Sequence, residues 1–241
     1  LCGIAVAKGG SLAELASMLD PLGQSQEQSE ALIARVRQQR EADPEHLAAG
    51  AAVAAALLAH TRQDAQTADA LFAHAQSRLE PPARAEYLLA WGLKLLLDRQ
   101  YERAAPLFRQ ALAETLTDER KLAANFYLCR ALALGGKTDE ALQVADQAAA
   151  AFPDAPRLQA QPAWVHYYAK RYAEAEHAYQ ALLDRFDDQH SSPDVRDAMR
   201  DARLILSNIC VQQQRLEAAE EWLEQVLDEF PEDIGALNDL G

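Results

Sequence analysis

The 241-residue chain is poor in the residues that staple, bend or punctuate a polypeptide. Its three cysteines, Cys2, Cys129 and Cys210, are too few and too scattered for a disulfide framework. Cys129 and Cys210 lie within apolar helical stretches, where a free thiol behaves as a small hydrophobe. Glycine and proline are sparse, and almost all of them fall between apolar-periodic stretches. Runs of Val, Ile and Thr alternating every second residue are missing, which excludes a sheet. No apolar run approaches the ~18–20 residues that cross a bilayer, so no membrane span is expected. Positive charge is also in deficit: 23 Lys and Arg stand against 37 Asp and Glu, a net −14. Nucleic-acid binding, which needs clustered Lys and Arg for phosphate contacts, is therefore not expected.

What the chain has is alanine-rich apolar sequence. Hydrophobic residues make up 49% of it, and alanine loses no side-chain entropy in a helix. The fold class this implies is all-α. Acid is unevenly spread: residues 200–241 carry ten acidic and three basic side chains, half of the net charge. That stretch reads first as a solvated helix face and second as a surface for a basic partner. The opening ten residues are too short for a secretion signal, with Lys8 on the wrong side. The chain reads as a piece of a longer protein, and nothing in it assigns a compartment.

A phrase recurs along the sequence. Tyr101-Glu102-Arg103-Ala104 leads to Phe108 and Ala111, and Thr138-Asp139-Glu140-Ala141 leads to Ala145 and Ala148. Tyr172-Ala173-Glu174-Ala175 leads to Tyr179 and Leu182, and Leu216-Glu217-Ala218-Ala219 leads to Leu223 and Val226. A short turn precedes each phrase, and a helical stretch of about four turns precedes each turn. Aligning Ala104, Ala141, Ala175 and Ala219 sets units of 34 residues at 85–118, 122–155, 156–189 and 200–233. An earlier unit fits 49–82, residues 234–241 open another, and residues 1–48 form degenerate helical repeats. Prolines 44, 153, 193 and 231 fall at element boundaries, and Ser192 stands as an N-cap before one long helix from about Pro193 to Gln213.

A helix–turn–helix period of 34 with small residues at fixed points resembles the tetratricopeptide repeat. Leu88, Trp91, Gly92, Ala104, Phe108 and Ala111 match that family's pattern within 85–118. The pattern is broken by Pro162 and Ala163 in the third good unit and by Arg203 and Ser207 in the fourth. The resemblance implies a right-handed α-solenoid of antiparallel helix pairs, in which no unit buries its apolar face alone. It also implies a concave face lined by the first helix of each pair. Carried over by position, that face holds Leu89, Leu93, Phe126, Arg130, Arg157, Trp164, Tyr167, Tyr168 and Asn208. Trp164, Tyr167 and Tyr168 beside arginine have the composition enriched at binding hot spots. Leu89 and Leu93 stand where chaperone-binding members carry the lysine and asparagine of a carboxylate clamp, so chaperone tails are not the expected ligand.

Chemistry finds little support. Gly135-Gly136-Lys137-Thr138 resembles the end of a phosphate loop, but position 131 is alanine and a helix precedes it, so it reads as an inter-helix turn. His46, His60, His74, His166, His177 and His190 form no helical zinc pair and read as helix surface or groove lining. No catalytic residue, metal or cofactor is expected. The expected function is a non-catalytic scaffold binding a peptide or helix of a protein partner in the concave groove. The alternative is a regulatory or substrate-recruiting arm of a larger enzyme whose catalytic domain lies outside these residues. Self-association through residues 234–241 is a further expectation.

Overall fold

A computed structural model describes residues 12–186 and 192–240; Cys2, His190 and Gly241 lie outside the described residues. These residues are all-α, with no strand among them. The helices are α1 (Leu12–Gln24), α2 (Gln26–Ala42), α3 (Ala49–Thr61), α4 (Ala65–Ser77), α5 (Pro81–Leu97), α6 (Tyr101–Leu112) and α7 (Asp118–Leu134). They continue as α8 (Thr138–Ala151), α9 (Pro156–Gln159), α10 (Gln161–Tyr168), α11 (Tyr172–Phe186), α12 (Pro193–Gln212), α13 (Leu216–Glu229) and α14 (Ile234–Leu240). Two compact units divide the chain: residues 1–98 with 106–116, and residues 99–105 with 117–241. Helix α6 passes from one to the other at Pro106, whose ring cannot donate to the carbonyl of Glu102.

In the first unit, α3 is buried on nearly every side, as its alanine-rich sequence without a polar face requires. It packs against α1, α2 and α4. Phe72 of α4 stacks on Trp91 of α5 with ring centroids 4.6 Å apart. Gly92, one residue on, lets the ring of Phe108 approach to where a Cβ would sit only 2.8 Å from it. One histidine departs from expectation. His60 is only 8% exposed, edge-on to Trp91, with Nε2 2.6 Å from Asp98 Oδ2. A carboxylate partner at the end of α5 makes burial of the imidazole tolerable.

In the second unit, α7 pairs with α8, α10 with α11, and α12 with α13. The alanines that set the repeat register are buried: Ala104, Ala141 and Ala175 are 0% exposed and Ala219 is 3% exposed. Helix α12 ends within one residue of the expected position. Ser192 occupies its N-cap, but its carbonyl does the work, accepting from Arg196 N at 3.0 Å, and its side chain makes no cap bond. The stretch before Tyr172 differs from the expected continuous helix. It breaks at Ala160 into α9 and α10, because Pro162 has no N–H for the carbonyl of Leu158.

The turns between paired helices share a geometry the sequence conceals. Gln63, Arg99, Gly136, Lys170 and Gln214 each adopt positive φ, at 63°, 58°, 78°, 59° and 60°. After four of them the next amide closes the helix end: Asp64, Lys137, Arg171 and Arg215 donate to Ala59, Leu132, His166 and Cys210 at 2.8–2.9 Å. This is the left-handed helix terminator that glycine usually supplies. Only Gly136 uses glycine, and the other four positions hold it at a steric cost of about 1–2 kcal/mol each.

Gly92→Ala should lower stability despite better helix propensity. The propensity gain is about 1 kcal/mol, while forcing a methyl against a fully buried Phe108 costs about 1–3 kcal/mol. Urea denaturation checks the sign. A second prediction concerns Asp98. Burial pushes its carboxyl up, but hydrogen bonds from His60 and Lys94 outweigh this and hold it below the ordinary value. A depressed carboxyl contributes stability that is present above its unfolded value, about 3.9, and is lost as pH falls through the folded value. Asp98→Asn should therefore melt earlier than the parent at pH 7, with the gap closing below about pH 4.

Candidate functional site

The second unit gathers four of the expected groove residues around one cavity of about 400 Å³. Helix α7 begins where Thr117 Oγ1 accepts from Arg120 N at 3.4 Å. Four-residue spacing then places Phe126 and Arg130 on one face of it. Arg157 comes from α9 and Trp164 from α10. Ala198, Asp201, Ala202, Leu204 and Ile205 of α12 form the opposite wall, with Tyr179 of α11 also lining the cavity.

Arg130 dominates the arrangement. Its guanidinium carbon lies 3.6 Å from the ring centroid of Trp164 and 5.0 Å from that of Phe126. Trp164 is backed in turn by Tyr168, four residues on, with ring centroids 5.4 Å apart and planes 18° apart. The Nε of Arg130 is buried without a partner, and the side chain makes no ion pair or hydrogen bond among the described residues. Burial lowers its pKa from the ordinary value, and Tyr179, Cys129 and Asp201 nearby offset this only in part. Asp201 is already engaged: Oδ1 accepts from Nη2 of Arg200 at 2.9 Å and from its Nε at 3.2 Å.

A second unsatisfied group lines the same cavity. Gln161 is 1% exposed; its Nε2 donates to the carbonyl of Arg157 at 3.2 Å, and its Oε1 is buried with no partner. Buried polar atoms are nearly always paired, so two unpaired ones in one cavity need a reason. Burial also pushes the Tyr179 hydroxyl far above its ordinary range, keeping it neutral. An adjoining cavity of about 540 Å³ shares Phe126 and Arg157 and adds Tyr127 and the carboxylates of Glu119, Asp154 and Asp194.

The other expected residues lie elsewhere. Tyr168 is 47% exposed behind Trp164. Tyr167 turns toward Tyr172, at 6.2 Å, and packs on the core of the unit. Asn208 is exposed on α12, where its Nδ2 donates back to the carbonyl of Leu204 at 3.1 Å. Leu89 and Leu93 belong to the first unit, and Leu89, at 8% exposed, has little surface to offer a partner. Sequence reasoning missed Gln161 and Tyr179. Gln161 falls beside the proline that breaks the pattern, and Tyr179 occupies a position that reads as inter-repeat core.

No group of His, Cys, Asp and Glu fit to hold a metal occurs among the described residues. No helix among them is long and apolar enough to cross a membrane. The thiol of Cys129 is pushed up to about 12 by burial and donates to the carbonyl of Ala141 at 3.7 Å. It is an inert core residue, not a nucleophile.

Sequence models described as tetratricopeptide repeat match residues 95–164 and residues 163–234, together more than half of the chain. No curated protein matches significantly. Among solved structures, the crystal structure of PilW, a widely conserved type IV pilus biogenesis factor, is 20% identical with a TM-score of 0.53. It covers 95% of this chain and 97% of its own. YrrB, a TPR protein with an unusual peptide-binding site, is 17% identical at a TM-score of 0.48, covering 85% of this chain and 96% of its own. PilF of Pseudomonas aeruginosa is 19% identical at 0.46, covering 95% and 98%. The first of these is a likeness of fold, and the other two scores add nothing to it.

The contact between Arg130 and Trp164 should be measurable as a coupling. A double-mutant cycle of Arg130→Met and Trp164→Leu, followed by urea denaturation, is expected to give about 0.5–2 kcal/mol. Additivity within about 0.3 kcal/mol would place the guanidinium off the ring.

Proposed function

Because the chain belongs to the tetratricopeptide repeat family, we propose that it is a protein-interaction scaffold whose cavity between α7, α10 and α12 takes a peptide segment of a partner protein. The observation that carries this reading is Arg130, packed against the ring of Trp164 and near that of Phe126, with no hydrogen bond or ion pair from its side chain among the described residues. A guanidinium held only by stacking is pre-organised: its orientation is set before any ligand arrives, so less entropy is lost on binding. Aromatic residues and arginine are the side chains that dominate binding energy at interfaces. The cavity volume suits a few side chains of a bound segment. The neighbouring Phe126, Arg157 and Tyr127 extend the surface beyond a single side-chain pocket.

The other expected groove residues take lesser parts. Tyr168 supports Trp164 from behind, and Tyr167 contributes to the unit's core. The interaction surface is therefore narrower than the family's positions imply, and Trp164 is its centre.

A random dodecapeptide library displayed on phage and panned on the immobilised chain tests the reading. The parent chain should enrich a family of related peptides. Trp164→Ala, with its far-UV circular dichroism unchanged, should enrich none of them. Recovery of the same peptides by both chains would place the binding surface elsewhere.

A further inference from the structure

The charges around the cavity are specific enough to say what chemistry it selects. Arg130 carries a positive charge into a partly dehydrated site and forms no ion pair there among the described residues. The nearest acid in the cavity wall, Asp201, is held by Arg200. The Trp164 ring lies against the guanidinium at 3.6 Å, with Phe126 at 5.0 Å, so a ligand reaches it along the edge these rings leave open. An edge-on guanidinium presents paired N–H donors in one plane, the geometry that matches a carboxylate. A phosphate dianion fits the surroundings poorly. Asp201 lines the same cavity, and Glu119, Asp154 and Asp194 line the adjoining one.

Resting on the groove reading above, we propose that the cavity beside Arg130 is a subsite for the side-chain carboxylate of one Asp or Glu in a partner segment whose neighbouring residues are basic. Gln161 supplies the second contact: its buried, unpartnered Oε1 accepts a backbone N–H of the same segment. The basic neighbours follow from the adjoining cavity. There Glu119, Asp154 and Asp194 line the same cavity as Phe126 and Tyr127, and none of the three carboxylates forms an ion pair among the described residues. A Lys or Arg side chain lying along the two rings would place its cation among them. The two cavities share Phe126 and Arg157. A bound chain therefore continues past Arg130, which favours an internal carboxylate over a chain terminus. The net charge of −14 acts in the same direction, repelling a uniformly acidic segment and steering a mixed one.

The peptides enriched from the phage library on the parent chain supply the test. One position should be fixed as Asp or Glu, with Lys or Arg enriched beside it. Synthesised with a fluorescent label and an amidated C-terminus, the best of them should bind the unmodified chain by anisotropy. Replacing its acidic residue by Gln or Asn should weaken binding about tenfold or more, and replacing it by phosphoserine should not strengthen binding. Arg130→Gln should erase the difference between the acidic and amide peptides while keeping the preference for basic neighbours. Asp154→Asn with Asp194→Asn should do the reverse. If Arg130→Gln fails to fold, the acid-to-amide comparison on the unmodified chain decides alone.

Enriched peptides with no fixed acidic position overturn the proposal while leaving a peptide groove in place. So does loss of binding on C-terminal amidation, or a preference for phosphoserine. A concentration-dependent dimer in sedimentation that the peptide dissolves would also overturn it, by making a second copy of the chain the occupant. Failure to enrich any peptide on the parent chain removes the groove reading itself.

Discussion

The structure depends on how closely two helices of a pair can approach. Large side chains at the crossing would hold the backbones apart and leave voids on either side. Alanine at that point in α8, α11 and α13, almost wholly buried in each, lets the flanking residues interlock instead. The contact is short-range and local in sequence, so each pair forms from a stretch of about 34 residues. The tight turns between partners serve the same end. A left-handed residue closes the first helix, and the chain reverses within three residues. Four of the five left-handed positions hold a residue other than glycine, a cost carried by packing on both sides.

A pair built this way buries one side and leaves part of its first helix for something else. In the second unit the packing contacts of α7, α10 and α12 come mainly from their small and aliphatic residues, such as Ala124, Leu128, Ala163, Val165, Ala202 and Leu206. Between those contacts stand the residues that packing does not need. Arg130 and Gln161 are unfavourable for stability as they stand, because each holds a buried polar atom without a partner. Their neighbours keep them in place: Phe126 and Trp164 stack on Arg130, and the carbonyl of Arg157 holds the amide of Gln161. The break at Ala160 belongs to this arrangement. It separates α9 from α10, so that Arg157 and Trp164 reach the cavity from two helices rather than one.

Much of the fold was legible because it repeats. The register came from alanines whose only property is smallness, and smallness is readable in a sequence. The turn geometry was not, since Gln63, Arg99, Lys170 and Gln214 bear no mark of a left-handed backbone and take it from the packing around them. His60 misled for a related reason: the Asp98 that makes its burial tolerable lies 38 residues away in sequence. Repeat position had put Arg130 and Trp164 on the concave face, and the two line one cavity. The same rule assigned Tyr167, which the structure turns toward the core, and passed over Gln161, because Pro162 had disturbed the pattern at that point. Position within a repeat identifies a helix face, while which polar atoms are left unpaired, Arg130 Nε and Gln161 Oε1 beside the cavity and His166 Nδ1 and Arg203 Nε away from it, appears only once the helices are assembled.

The most direct measurement is a crystal structure of the chain bound to a mixed-charge peptide selected on it. Expected is a peptide carboxylate within hydrogen-bonding distance of Arg130, whose guanidinium still lies on the ring of Trp164, with Gln161 Oε1 accepting a peptide N–H. A peptide bound on another face, or an Arg130 withdrawn from Trp164 and ion-paired with Asp201, would contradict it.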